Sequence, residues 1–260
     1  MSTTRPYTAS DRLIIERRDD IAVLTLNRPT HLNSFDPALH DDFPRIIAEI
    51  DDDPGVRALV LTGAGKAFCA GGNTDDFIRH ANDFQSRRRA MRDARRLVDA
   101  MLGISVPVIA AVNGPAVGLG CTLATLCDMV FIADHTYLAD PHVTVGLVAG
   151  DGSAITWPLF TSLLRAKEYL LTGERIHAAR AVEFGLANHA VPSGDLLDRA
   201  IDFARKIAAL PPQAVQDTKN VLNQHLRAAA VTSLGMGLAA ESQSHDTTEY
   251  RAIADRFSRG

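Results

Sequence analysis

Two stretches of small residues carry the first hint of chemistry in this chain. Residues 67–72 (Ala-Phe-Cys-Ala-Gly-Gly) follow an apolar run that ends near Thr62, and residues 113–120 follow one that ends at Val112. Each reads as strand, small-residue turn, helix. Such turns leave backbone N–H groups unpaired at helix starts, and two of them facing each other can donate to one developing oxyanion. Glycines that only allow tight packing leave the same pattern, so the turns alone do not assign the reaction.

Other chemical motifs fail on their spacing. Gly63-Ala64-Gly65-Lys66 has no glycine five residues before Gly65, and Ala67 stands where a phosphate loop needs Ser or Thr for magnesium. After Gly118 and Gly120 the third position of a dinucleotide fingerprint is Leu123, too bulky for close packing of helix on strand. The nine histidines include no i, i+4 pair, there is no Cys-x-x-Cys, and Gly150-Asp151-Gly152-Ser153 is not a nucleophile elbow. No metal site and no separate cofactor are expected. Arginines at 87, 88, 89, 92, 95 and 96 form a basic helical run, read either as a solvated face or as a rim attracting an anionic, nucleotide-tailed thioester.

The elements that must hold these turns can be read from pattern. The 260 residues are 46% hydrophobic with a net charge of -4, which suits one globular α/β chain and excludes a general positive field for nucleic acid. The longest stretch without Asp, Glu, Lys or Arg, residues 100–127, is broken by Pro107 and Asn113-Gly114-Pro115, so it reads as core and no membrane partner is expected. Residues 1–10 lack the apolar run of a signal peptide, and three cysteines cannot all pair within the chain. A cytoplasmic protein with buried thiols at Cys69, Cys121 and Cys127 is the expectation. Residues 13–16 and 21–26 read as a strand hairpin. Asp36-Pro37 starts a helix whose apolar Leu39, Phe43, Ile46, Ile47 and Ile50 recur at helical spacing. Strands are expected at 58–61, 106–112 and 129–133, with helices at 83–101 and 118–127 between them. Beyond residue 154 the chain reads as mostly helical, with one strand candidate at 188–191. Residues 11–195 are taken as the α/β core, and residues 196–260 as a helical region of the same fold unit.

Leu26-Asn27-Arg28-Pro29, Leu32-Asn33-Ser34, Lys66-Ala67-Phe68-Cys69-Ala70-Gly71-Gly72, residues 107–114, residues 118–121, Cys127-Asp128 and Tyr169-Leu170-Leu171-Thr172-Gly173 follow one another in an order that resembles the crotonase (enoyl-CoA hydratase and isomerase) superfamily. The resemblance implies a spiral of β-β-α turns, a homotrimer or homohexamer, and an acyl-CoA substrate whose enolate is held by an oxyanion hole. Carried over by position, the oxyanion N–H groups belong to Gly72 and Leu119. Arg28, Lys66 and Ala70 then lie along the path of a CoA moiety. Apolar Val215, Val221, Leu222, Leu226, Val231 and Leu234 on the C-terminal helices also ask for cover beyond one small core.

The hydratases of this superfamily use two glutamates, and Thr122 and His142 stand in their places. Thr122 cannot act as a carboxylate base. Pro141-His142, Gly146-Leu147-Val148, Gly150-Asp151-Gly152 and Trp157-Pro158 instead resemble the branch represented by 6-oxocamphor hydrolase, a β-diketone hydrolase. That resemblance pairs His142 with Asp151 and adds His40 and Glu241, although Ala70-Gly71-Gly72 keeps the hydratase form. A neutral imidazole can take a proton from water while a carboxylate on its other nitrogen fixes the tautomer. The leading expectation is therefore that Asp151 orients His142, which activates water against a CoA thioester or β-dicarbonyl compound. Asp151 as a cap of the helix starting near Ser153 is the structural alternative. Two functional alternatives stand beside it: a hydratase or isomerase in which Asp151 or Glu241 supplies the missing carboxylate, and a non-catalytic acyl-CoA-binding protein. Thr122 and Trp157 are expected near the substrate, with Phe77 and Phe160 as further walls of the acyl pocket.

Overall fold

The structure, a computed structural model, describes residues 7–8, 10–73 and 76–257. The chain runs β1 (Leu13–Arg18), β2 (Ile21–Leu26), α1 (Pro37–Asp51), β3 (Ala58–Gly63), α2 (Phe77–Asn82), α3 (Phe84–Gly103), β4 (Val108–Val112), β5 (Ala116–Val117), α4 (Leu119–Thr125), β6 (Met129–Ala133) and β7 (Tyr137–Ala139). It continues through a 3-10 turn (His142–Val145), α5 (Ser153–Phe160), α6 (Leu163–Thr172), β8 (Ile176–His177), α7 (Ala178–Phe184), β9 (His189–Val191), α8 (Leu196–Ala208), α9 (Pro212–Ser244) and α10 (Thr248–Phe257).

The main sheet has the order β1-β2-β3-β4-β6-β9, antiparallel at the first hairpin and parallel thereafter. Its inner strands are apolar apart from Thr25 and Thr62 because both faces are covered. Leu24 and Leu26, Leu59 and Leu61, Ala110 and Val112 face the larger core under α1 and α3. Ile21, Val23, Val60, Ile109 and Phe131 face the other way, onto Leu196, Ala200, Ile201 and Ala204 of α8. A mostly parallel sheet covered by helices on both faces, with a helical C-terminal region, makes the mixed α/β fold expected from the sequence.

Local signals worked where turn chemistry was explicit. Asp36 caps α1 by accepting from the Leu39 N–H at 2.8 Å, with Pro37 in the first turn. A smaller sheet, β5-β7-β8, was not foreseen. Strands of two or three residues are too short to show a period, and only their pairing defines them. α9 is a continuous 33-residue helix packed on α3 and α5, and its Leu234 and Leu238 join the larger core. Val221, Leu222 and Val231 stay exposed, Val231 at 88%. An apolar groove of about 840 Å³ lies beside this face, lined by Leu126, Leu159, Phe160, Leu210, Val215 and Leu222. Among the described residues no helix is long and apolar enough to cross a membrane.

Candidate active site

The two small-residue turns come together as expected. Cys69 pairs with Ala116, and the Val117 N–H donates to the Cys69 carbonyl at 2.9 Å, so the turns run side by side. Gly71 sits at φ +90°, where a side chain is strained, and a Cβ there would lie 2.6 Å from the Val117 carbonyl and 3.4 Å from the Leu119 nitrogen. That close approach brings the Gly72 and Leu119 N–H groups to one cavity, and neither donates to an acceptor among the described residues. Leu119 is the first residue of α4, whose opening turn leaves its N–H groups without helical partners.

The cavity encloses about 290 Å³ and reaches from these N–H groups to His142, Asp151 and Glu241. β7 delivers Asp140 and His142, and the ring of His142 lies against the second turn, 3.4 Å (Cε1) from where a Gly118 Cβ would stand. Here the structure departs from the expected pairing. The His142 Nδ1 is bound by Asp140 Oδ1, from a residue that is wholly buried, whereas Asp151 Oδ2 faces Nε2 at 3.6 Å. Asp151 is therefore not the group that fixes the tautomer from behind. Nor does it cap α5, whose N-cap is Gly152 with no side-chain bond. Thr122, in the place of a hydratase glutamate, is buried behind Asp151 and donates to its Oδ1 at 2.9 Å.

Charge follows from this geometry. Burial alone pushes the His142 ring down, but Asp140 and then Asp151 outweigh it and hold its pKa well above 6.5. Burial pushes Asp140 up, and the facing His142 overcomes that, so its carboxyl sits below the ordinary value. The first pair is thus an imidazolium clasped by a carboxylate. Only a neutral ring accepts a proton from water, so the two carboxyl groups that favour the cation disfavour His142 as a water-activating base. Burial, with Asp140 adding, raises Asp151 against the pull of His142. One ligand atom from each of Asp140, His142 and Asp151 lies within 4.8 Å of the others, and the two ring nitrogens face different carboxylates, a hydrogen bond to Asp140 on Nδ1 and an ion-pair contact with Asp151 on Nε2.

Glu241 arrives from α9. Gly150 and Gly237 touch backbone to backbone: a Cβ on Gly150 would lie 2.4 Å from the Gly237 carbonyl and 2.8 Å from Glu241 Oε2. Only glycine at this crossing lets the helix come close enough to place a carboxyl beside Asp151. Glu241 Oε2 is buried without a partner, and burial lifts the group to about 8. His40, on α1, lines the same cavity with Nδ1 sealed and unpartnered, and burial lowers its pKa to about 4.

Several expected contacts are absent. Trp157 is fully buried in the larger core and does not line the cavity, because α5 turns that face inward. Phe160 lines the outer groove, while Phe77 does line the cavity. Arg28 is drawn to Asp36, 3.2 Å away, and to the Ser34 carbonyl, so its guanidinium braces the start of α1. Lys66 is exposed outside the cavity and Ala70 lines it. Of the arginine run, Arg89 reaches the cavity and Arg87 pairs with Asp246 at 3.0 Å. Sequence reasoning missed Asp140, which the Asp140-Pro141-His142 triplet at a strand end could have signalled, and also His80, His245 and Tyr250, which no local pattern marks.

The spiral sheet and the paired glycine turns define a crotonase-fold protein. The enoyl-CoA hydratase/isomerase family profile matches residues 16–256, and the chain belongs to that family. A putative enoyl-CoA hydratase/isomerase of Bacillus subtilis is 34% identical over 239 residues, 91% of this chain and 89% of the relative. A short-chain-enoyl-CoA hydratase of Clostridium acetobutylicum is 29% identical, covering 95% and 94%. Among solved structures, an enoyl-CoA hydratase/isomerase from Mycobacterium paratuberculosis matches with a TM-score of 0.92 at 50% identity, over 96% of this chain and 100% of the other. These relatives carry enoyl-CoA names and lend no support to the β-diketone hydrolase branch.

Proposed function

We propose that the chain catalyses hydratase/isomerase chemistry on an enoyl-CoA thioester, with Asp151 and Glu241 as the carboxyl pair in place of the two usual glutamates. The observation that carries this is the convergence of two buried carboxyl groups, both raised in pKa, on the cavity that holds the free Gly72 and Leu119 N–H groups. Of the readings open from the sequence, it is the one in which Asp151 or Glu241 supplies the acid and base.

The thioester oxygen accepts from Gly72 and Leu119, which stabilise the enolate as charge develops on it. The His142 cation and the Thr122 hydroxyl favour the ionised form of Asp151 against its burial, and in that form it takes a proton from water as the water oxygen bonds to C3. Glu241, neutral at pH 7, gives its proton to C2 as the enolate collapses. One water is added, one proton moves to Asp151, one leaves Glu241, and exchange with solvent restores both groups. In the absence of water, a carboxylate that removes a proton at one end of the enolate and returns it at the other shifts the double bond. His142 is the group that favours the ionised form of Asp151, and Asp140 holds His142.

CoA enters as part of the substrate, and no separate cofactor has a role in these steps. We further propose that the exposed apolar face of α9 and the adjoining groove pack against further copies of the chain in a homotrimer or homohexamer. The test of function is turnover of 2-enoyl- and 3-enoyl-CoA thioesters followed by mass spectrometry. Product from either, lost in Asp151→Asn, supports the proposal, and turnover of cyclic β-diketones alone overturns it. Light scattering tests the assembly, with a monomer at micromolar concentration as the opposing result.

A further inference from the structure

Beyond the acid–base cluster the same cavity is lined by histidines that the proposed reaction does not use. His80 (α2) and His245 (after α9) meet with ring centroids 5.7 Å apart, and Tyr250 stacks on His245 at 4.6 Å. The His245 Nδ1 binds the Glu241 carbonyl oxygen at 2.9 Å. A carbonyl only accepts, so Nδ1 carries the hydrogen and Nε2 of the neutral ring is left as an acceptor. Among the described residues no hydrogen bond reaches that Nε2 or the His80 ring, and His80 is half-buried. Burial lowers both rings to about 4, so at neutral pH they are uncharged.

We propose that His80 and His245 form a recess for a hydroxyl group on the acyl chain, and that the enzyme prefers hydroxyacyl over plain alkyl thioesters. The inference rests on the enoyl-CoA reading of the site. A hydrocarbon tail would leave two neutral imidazoles desolvated and unpaired, which costs binding. The cations nearest these rings, Arg79 and Arg87, are already paired with Asp76 and Asp246, which leaves little charge for a carboxylate tail. A hydroxyl can donate to the His245 Nε2 and accept from a His80 N–H, and in the proposed recess one oxygen serves both rings, whose centroids are 5.7 Å apart. Tyr250 does not compete for it, because its hydroxyl is committed to the Phe77 carbonyl at 3.1 Å.

The experiment measures binding of unreactive saturated thioesters by calorimetry, butanoyl- to octanoyl-CoA against their ω-hydroxy and ω-carboxy counterparts, on the parent and on His80→Phe. The expected result is one chain length at which the hydroxy compound binds about tenfold or more tightly than the plain one. His80→Phe should lose that preference and bind the plain thioester more tightly than the parent does, since the alkyl tail then leaves one imidazole fewer unpaired. Equal or weaker binding of every hydroxy compound overturns the inference, as does a preference for the carboxy series. Equal loss of all thioesters and of free CoA in His80→Phe also overturns it, since the histidines would then hold the carrier arm. Because binding is read apart from turnover, a hydroxy preference without enoyl turnover would sink the proposed reaction and leave the recess standing. Binding of no thioester would overturn both.

Discussion

Asp140, two residues ahead of His142 in the chain, binds the ring's Nδ1 from a fully buried position and makes His142 a cation between two carboxyl groups. On the proposed reading the ring is not the base, and the proton-transfer work belongs to Asp151 and Glu241. Replacing Asp140 by Asn should lower the His142 pKa and weaken activity without touching a thioester contact. Breaking such a buried pair costs about 3–5 kcal/mol. With Asp140 lowered and His142 raised, that stabilisation is fully present between the ordinary values of 3.8 and 6.5. It fades as pH falls through the Asp140 value or rises through that of His142. NMR titration of the ring is the check: a His142 that titrates identically in parent and Asp140→Asn would refute the clasp.

Asp151→Asn and Glu241→Gln should each reduce kcat on the best enoyl-CoA by roughly 100- to 10,000-fold, the usual worth of a general acid or base. Thioester affinity should hardly change, because Gly72, Leu119 and the cavity walls remain. The two losses should be strongly non-additive, since both groups act on the same enolate. Near-parental kcat in both variants would move the chemistry elsewhere.

Glu241 must be protonated to act as an acid, and burial raises it to about 8, so kcat should hold at neutral pH and fall as pH climbs through that value. Stability follows the same group. Between 4.5 and about 8 the folded chain keeps a proton that the unfolded chain releases, so folding weakens as pH rises across that window. Glu241→Gln should melt above the parent at pH 8 and close to it at pH 4. Parallel melting curves against pH would contradict the buried, neutral acid.

Gly150→Ala should separate α9 from the 140–152 loop, because the added Cβ would meet the Gly237 carbonyl at 2.4 Å and Glu241 Oε2 at 2.8 Å. A kcat loss of about 100-fold is expected from a displaced acid, with an overpacking cost of about 1–3 kcal/mol. Steady-state kinetics beside thermal melting distinguish the two. An alanine variant with parental kcat would mean that the crossing does not position Glu241.

The sequence by itself determined the parts that depend on neighbours in the chain. Apolar runs covered on both faces became β3, β4 and β6, Asp36-Pro37 started α1, and small-residue turns after β3 and β4 left the N–H groups of residues 72 and 119 without an acceptor among the described residues. The ordered motifs around those turns also sufficed to place the chain in its family. Tertiary structure alone decided the partners. Which carboxylate takes which nitrogen of His142, how near Glu241 of α9 comes to Asp151, whether Trp157 faces cavity or core, and that His80 meets His245 are all set by packing between elements far apart in sequence. Turn and periodicity signals act over a few residues. The protonation of a buried group depends instead on every charge and every bit of lost water around it, wherever in the chain those neighbours originate.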